Sequence, residues 1–145
     1  MPLDGWLLLE KIHGHLALLA IAASCHPSLT LRGERLVTWR QRLSGYLATL
    51  LTVAAFASGC LIYSEFRRAV RPELRAVGEI WFQLFEIKEH LAWTAFCLSL
   101  IGGIGLLRTQ ATAPAAILRN AYRLSAILAL VVAAIGIVTA SIRSF

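Results

Sequence analysis

Two short stretches concentrate the side chains able to do acid–base and ligand chemistry. One is Glu10-Lys11-Ile12-His13-Gly14-His15, and the other is Glu86-Ile87-Lys88-Glu89-His90. Each runs into an apolar stretch, so imidazole, amine and carboxylate groups stand inside or at the edge of a hydrophobic segment. A histidine offers one ring nitrogen to a metal and uses the other to fix its ring. Two such rings at one depth on parallel helices can hold the iron of a b-type haem, with the macrocycle filling the gap between helices. The spacing selects His15 and His90. His15 lies ten residues after Gly5 and His90 eleven after Glu79, so at about 1.5 Å per residue the two fall at nearly one depth. Gly14, Ala17, Ala22, Gly59 and Ala92 leave room for a flat macrocycle. Arg67, Arg68 and Arg71 suit its propionates, because guanidinium pairs with carboxylate through two parallel hydrogen bonds.

The same residues carry two other chemistries. Glu10 and His13 form Glu-x-x-His, and Glu86, Glu89 and His90 stand on a second helix. That donor set suits non-haem iron or another divalent metal in a four-helix bundle, with Glu65 able to reach in. A metal-dependent membrane enzyme would use it with a glutamate as base. The third chemistry is an ion-pair network, Lys11 opposite Glu86 or Glu89 and Glu10 opposite Lys88. Such a network fixes helix register in a structural or accessory subunit, and chains of histidine and carboxylate also carry protons in membranes. His13 and His15 are two residues apart, about 200° around a helix, and cannot address one site. His26 shares the face of His15 and is expected at the lipid headgroups before Pro27. A second haem there would need a further ligand from a neighbouring subunit.

The elements that must position these groups follow from composition. Of 145 residues, 58% are hydrophobic and 15% charged, against about 45–50% and 25% in an ordinary soluble domain. Mean hydropathy is +0.69. The apolar runs are continuous rather than alternating, which excludes a membrane barrel. A crossing takes about 20 apolar residues, so the length holds four. We expect an all-α transmembrane bundle running up-down-up-down as one domain, with helices at about 5–26, 43–65, 79–107 and 114–142 and both termini on one side. Pro27 should end the first helix and Pro114 precede the last, with Tyr63 to Arg75 a short interfacial stretch. Trp6, Trp39 and Trp81 read as interfacial anchors. Gly102, Gly103 and Gly105 should allow close helix approach, within the chain or in a homodimer. Cys25, Cys60 and Cys97 lack metal or disulfide spacing and read as small buried hydrophobes. The net charge of +6 belongs to arginines between the runs, which suit lipid phosphates rather than nucleic acid. Arg32, Arg35, Arg40, Arg42, Arg108, Arg119 and Arg123 on one side outnumber Arg67, Arg68, Arg71, Arg75 and Arg143 on the other. That slightly favours termini outside.

An internal repeat accompanies the histidines. At an offset of 75, Ile12, His15, Leu16, Ala17, Ala20 and Ser24 fall on Ile87, His90, Leu91, Ala92, Ala95 and Ser99. Two hairpins related by an axis along the membrane normal would set His15 and His90 face to face. In helix number, size and paired intramembrane histidines the chain resembles the small four-helix membrane cytochromes b. The resemblance implies one haem b on His15 and His90, electron exchange with a quinone, a plasma or inner membrane location, and work as a homodimer or as a subunit of a larger complex. No phosphate loop, dinucleotide fingerprint, nucleophile elbow or CxxCH attachment site is present.

Overall fold

A computed structural model describes residues 3–31, 37–108 and 115–142. Arg32, Arg35, Pro114 and Arg143 lie outside the described residues. The chain forms the expected four-helix bundle: α1 (Leu3–Thr30), α2 (Trp39–Val77), α3 (Glu79–Arg108) and α4 (Ala115–Ser141). Each helix packs on the next and α4 closes back onto α1, so α1 and α3 occupy opposite corners. All four are long and apolar enough to cross a bilayer.

The packed faces are lined by small residues. Ala20 and Ser24 on α1, Gly45, Ala48, Ala55 and Ser58 on α2, Ala95, Ser99, Gly102 and Gly103 on α3, and Ala121 and Ser125 on α4 are all buried. In hydrocarbon, lipid tails are as apolar as leucine, so helices associate through close backbone approach and interhelical hydrogen bonds. The α3 glycines serve the chain itself. A Cβ on Gly102 would lie 2.8 Å from the Tyr122 ring, one on Gly103 would lie 2.7 Å from Thr49, and one on Gly105 would overlap Leu118. Tyr122, wholly buried, donates to the Gly45 carbonyl at 2.9 Å and lies 3.0 Å from the Thr49 hydroxyl. Thr49 donates to the Ser99 carbonyl at 3.1 Å.

Two prolines fall inside helices, where they were expected at an end or in a loop. α1 passes through the buried Pro27 to Thr30, and α2 passes through Pro72 to Val77. A proline removes one helical hydrogen bond, but packing on either side holds the helix. Beyond Pro27, Ser28 and Thr30 donate back to the carbonyls of Ser24 and His26, and the Gln41 amide reaches the Thr30 carbonyl. Thr38 and Gln41 form a capping box at the start of α2.

The largest departure is the segment Tyr63 to Arg75, which is continuous helix rather than a short interfacial stretch. Phe66, Val70 and Leu74 recur every four residues on one face of α2, and this stripe buries against Phe85 and Trp81 of α3. Phe66 and Phe85 stack with centroids 5.0 Å apart. Only Gly78 separates α2 from α3, so the helices double back directly. With 39 residues, α2 is about 58 Å long, against about 30 Å of hydrocarbon. The apolar part of α2 ends near Tyr63, and the rest forms with the start of α3 a two-helix arm beyond the bundle.

The three cysteines are exposed, not buried. They share the outer surface with Leu18, Leu50, Trp93 and Ile137, each more than half exposed, and this is the face that meets lipid in a membrane-spanning chain. A reagent confined to water does not reach a thiol held in hydrocarbon. Protein in sealed vesicles should therefore resist a membrane-impermeant maleimide and take up about three per chain only after unfolding in SDS. Rapid labelling of all three in intact vesicles would rule out the membrane-spanning arrangement.

Candidate functional site

The structure separates the residues expected to act together. His15 and His90 are both exposed, and each ring is tied to its own helix. Nδ1 of His15 lies 2.7 Å from the Lys11 carbonyl, and Nδ1 of His90 lies 2.8 Å from the Glu86 carbonyl. A carbonyl only accepts, so Nδ1 carries the proton in both and Nε2 is the free lone pair. His90 stands nine residues, or 180°, from the wholly buried Ser99. Since α1 and α3 occupy opposite corners, the two rings leave the bundle in opposite directions. They also differ in depth. Along α2, His13 sits beside Ser58 and Glu89 beside Tyr63, which puts His15 and His90 between one and two turns apart. The bundle therefore does not bring them face to face, and the repeat at offset 75 does not describe the helix register. The room foreseen at Gly59 is filled by the His13 ring, and Gly14 opens onto empty space. His26 is exposed on the outer face of α1.

Among the described residues, no three His, Cys, Asp or Glu side chains converge as a metal-binding group. Each member of the expected set is turned elsewhere. His13 faces α2, Glu86 pairs with Arg71 at 2.7 Å, Glu89 meets Tyr63, and Glu65 pairs with Arg68 at 2.6 Å. Glu10 remains near His13, but with no third ligand beside them. Arg67, Arg68 and Arg71, foreseen at haem propionates, stand on the arm, beyond the level of both histidines.

What the fold does assemble is a cluster of ionisable groups between three helices at the arm end. His13 is at its deep end. Its Nδ1 lies 2.9 Å from the Ala55 carbonyl and 3.1 Å from the Ser58 hydroxyl, with the ring against Gly59. The charges of Glu10 and Lys88 both act on it. Lys88 is largely withdrawn from water, its ammonium 4.6 Å from the centroid of Phe85 and 5.2 Å from that of Phe66. Aromatic faces carry partial negative charge, which makes this a favourable seat for a cation. Glu89 and Glu10 are the acids whose charges act on it. Lys11 instead lies on the exposed face of α1 and takes no part.

Glu89 closes the outer end. One carboxylate oxygen accepts from the Tyr63 hydroxyl at 3.1 Å, while the other is buried with no hydrogen-bond partner. Outside it stands the Arg71–Glu86 pair, with Arg71 also over the Phe82 ring at 4.8 Å. The cluster thus descends from the arm to His13. Sequence reasoning missed Tyr63 and the aromatic seat of Lys88. Both follow once α2 and α3 are joined by one residue, since antiparallel pairing about Gly78 sets Phe66 against Phe85 and Tyr63 against Glu89. No family model matches this chain, and no curated protein or solved structure matches it either, so its function is read from its own residues.

Proposed function

We propose that this chain is a multi-pass membrane subunit whose working element is a proton-accepting relay entered from the arm side and ending at His13. One observation carries the reading: His13 lies against Ala55 and Ser58 of α2, while Lys88 sits over Phe66 and Phe85 and Glu89 keeps one carboxylate oxygen buried without a hydrogen-bond partner. Ionisable groups within a membrane-spanning bundle are costly to insert, and their default interpretation is an ion or proton path. The parts suit that role. Glu89 offers a buried oxygen with open lone pairs, next to a hydroxyl that can donate or accept. His13, held through Nδ1–H, keeps Nε2 as the proton acceptor. Lys88 supplies the charge that sets how readily both take a proton.

The test is nitrogen-15 NMR of histidine-labelled protein in lipid nanodiscs, between about pH 5 and pH 9. The His13 signal should pass reversibly between neutral and imidazolium forms. Its midpoint should move in Lys88→Met. A His13 ring that keeps one protonation state throughout, or whose midpoint ignores Lys88, would overturn the relay.

A second reading rests on the tautomer of the outer histidines. A ring held through Nδ1–H to a backbone carbonyl is the usual posture of a histidine whose Nε2 ligates a metal. One chain does not fit a haem between His15 and His90, because the rings point apart. A b-type haem would take one axial nitrogen from this surface and the second ligand from another chain. Absorption spectra of the purified oligomer, oxidised and then reduced, decide it. Haem bands lost in His15→Ala or His90→Ala support this reading, and a colourless protein expressed with ample haem removes it.

A further inference from the structure

Against the His13 ring, α2 sets a closed triangle of hydrogen bonds. Nδ1 lies 2.9 Å from the Ala55 carbonyl and 3.1 Å from the Ser58 hydroxyl, and that hydroxyl donates to the same carbonyl at 2.8 Å. With its proton spent there, Ser58 can only accept from Nδ1. The Nδ1 proton therefore faces two acceptors, and neither passes it on. A backbone carbonyl takes no proton, and Ser58 could take one only by giving its own to that carbonyl. Gly59 lets the ring lie this close, since a Cβ there would stand 3.0 Å from Cε1.

The layer beyond the ring, away from the arm, is apolar on all four helices. Residues 16–23 of α1, 53–57 of α2 and 126–138 of α4 carry no polar side chain. On α3, the stretch 91–98 holds Trp93, Thr94 and Cys97, and all three are exposed on the outer surface. The next hydroxyl along α2 is Thr52, about 9 Å from the level of Ser58, and it is spent on the Ala48 carbonyl at 2.8 Å. The next on α1 is Ser24, about 16 Å from the level of His13, and it donates to the Ala20 carbonyl. Water is retained inside a protein where it finds several polar partners, and the side chains of this layer supply none. The charged groups that act on His13 stand on its other side. Glu10 precedes it by about one turn of α1, and Lys88 of α3 lies at the level of Phe66. Neither 43–64 of α2 nor 124–142 of α4 holds a charged residue.

Resting on the relay proposed above, we infer that it has a single mouth, with the Ser58–Ala55 triangle and the apolar layer as a stop behind His13. A proton taken up on Nε2 leaves again from Nε2, toward the arm, and none passes to the far side. The chain stores a proton drawn from one compartment instead of carrying it to the other.

Two measurements on protein reconstituted in sealed lipid vesicles test the stop. Nitrogen-15 NMR above the His13 midpoint should show a protonated Nδ1 and a bare Nε2. With a potassium gradient and valinomycin, an internal pH dye should report no faster proton entry than in protein-free vesicles. A His13 that never titrates removes the relay and the stop with it. A His13 that titrates but rests with Nε2 protonated and Nδ1 bare overturns the stop alone. So does proton entry above the protein-free rate that is lost in His13→Gln or Glu89→Gln.

Discussion

Tyr122→Ala should lower the stability of the bundle by about 3–5 kcal/mol, the cost of truncating a buried aromatic to alanine. Tyr122 has no exposed surface and sits where three helices meet. Its ring covers Gly102 and Gly45, and its hydroxyl joins the Gly45 carbonyl to Thr49. Leu31, Ala48, Leu106 and Leu118 complete the cluster around it, and all are already small or fully engaged. Two glycines opposite the ring cannot fill the space it leaves, so the void persists and the cost sits high in the range. Tyr122→Phe keeps the ring and loses only the hydroxyl, for about 0.6–1.7 kcal/mol, the scale of interhelical hydrogen bonds in membranes. Unfolding in SDS, followed by circular dichroism, separates the two. A Tyr122→Ala protein as stable as Tyr122→Phe would show that the three helices do not depend on this contact.

Lys88→Glu should be the most damaging change in the polar cluster, at about 3–5 kcal/mol, the scale of an uncompensated buried charge. The substitution sets a carboxylate against the negative faces of Phe66 and Phe85 and beside Glu10 and Glu89. Lys88→Met keeps the stem between the rings but withdraws the cation from Glu89 and Glu10, so it should cost less than the charge reversal without being neutral. The charge reversal also has a pH signature. Its penalty belongs to the ionised form of the new carboxyl, so acidification should narrow the gap to the parent protein. A gap that is constant or widens as pH falls would mean that shape, not charge, is the fault. The same SDS unfolding, repeated at several pH values, reads both.

The sequence was most informative where hydrophobicity alone decides. Four apolar runs gave four helices, and Gly102, Gly103 and Gly105 gave close helix contacts, because a glycine stripe in hydrocarbon has few other uses. It was misleading where a local rule met tertiary packing. Pro27 read as a stop and Pro72 fell in a stretch read as interfacial, yet packing on both sides carries the helix through each. The histidines show the limit of spacing. Counting from the helix starts placed His15 and His90 at one depth, but α3 begins on the arm, outside the level at which α1 begins. The facing direction of His15 was equally hidden, since the apolar residues that follow it surround α1 on every side. The 200° offset said only that His13 and His15 cannot address one site, and the structure puts His13 against α2. The partners of Glu86 and Glu89 depended on a helix continuing past Tyr63, which no single residue signals.

The direct turn at Gly78 gives the molecule a sidedness. With four crossings, the start of α1 and the end of α4 emerge in the same compartment as the arm. The arm and the outer end of the ionisable cluster therefore lie on that side, and α1 joins α2 and α3 joins α4 on the opposite one. An epitope placed ahead of α1 or after α4 will report which compartment that is. Whichever compartment it proves to be, the relay proposed above would answer to the pH on that side.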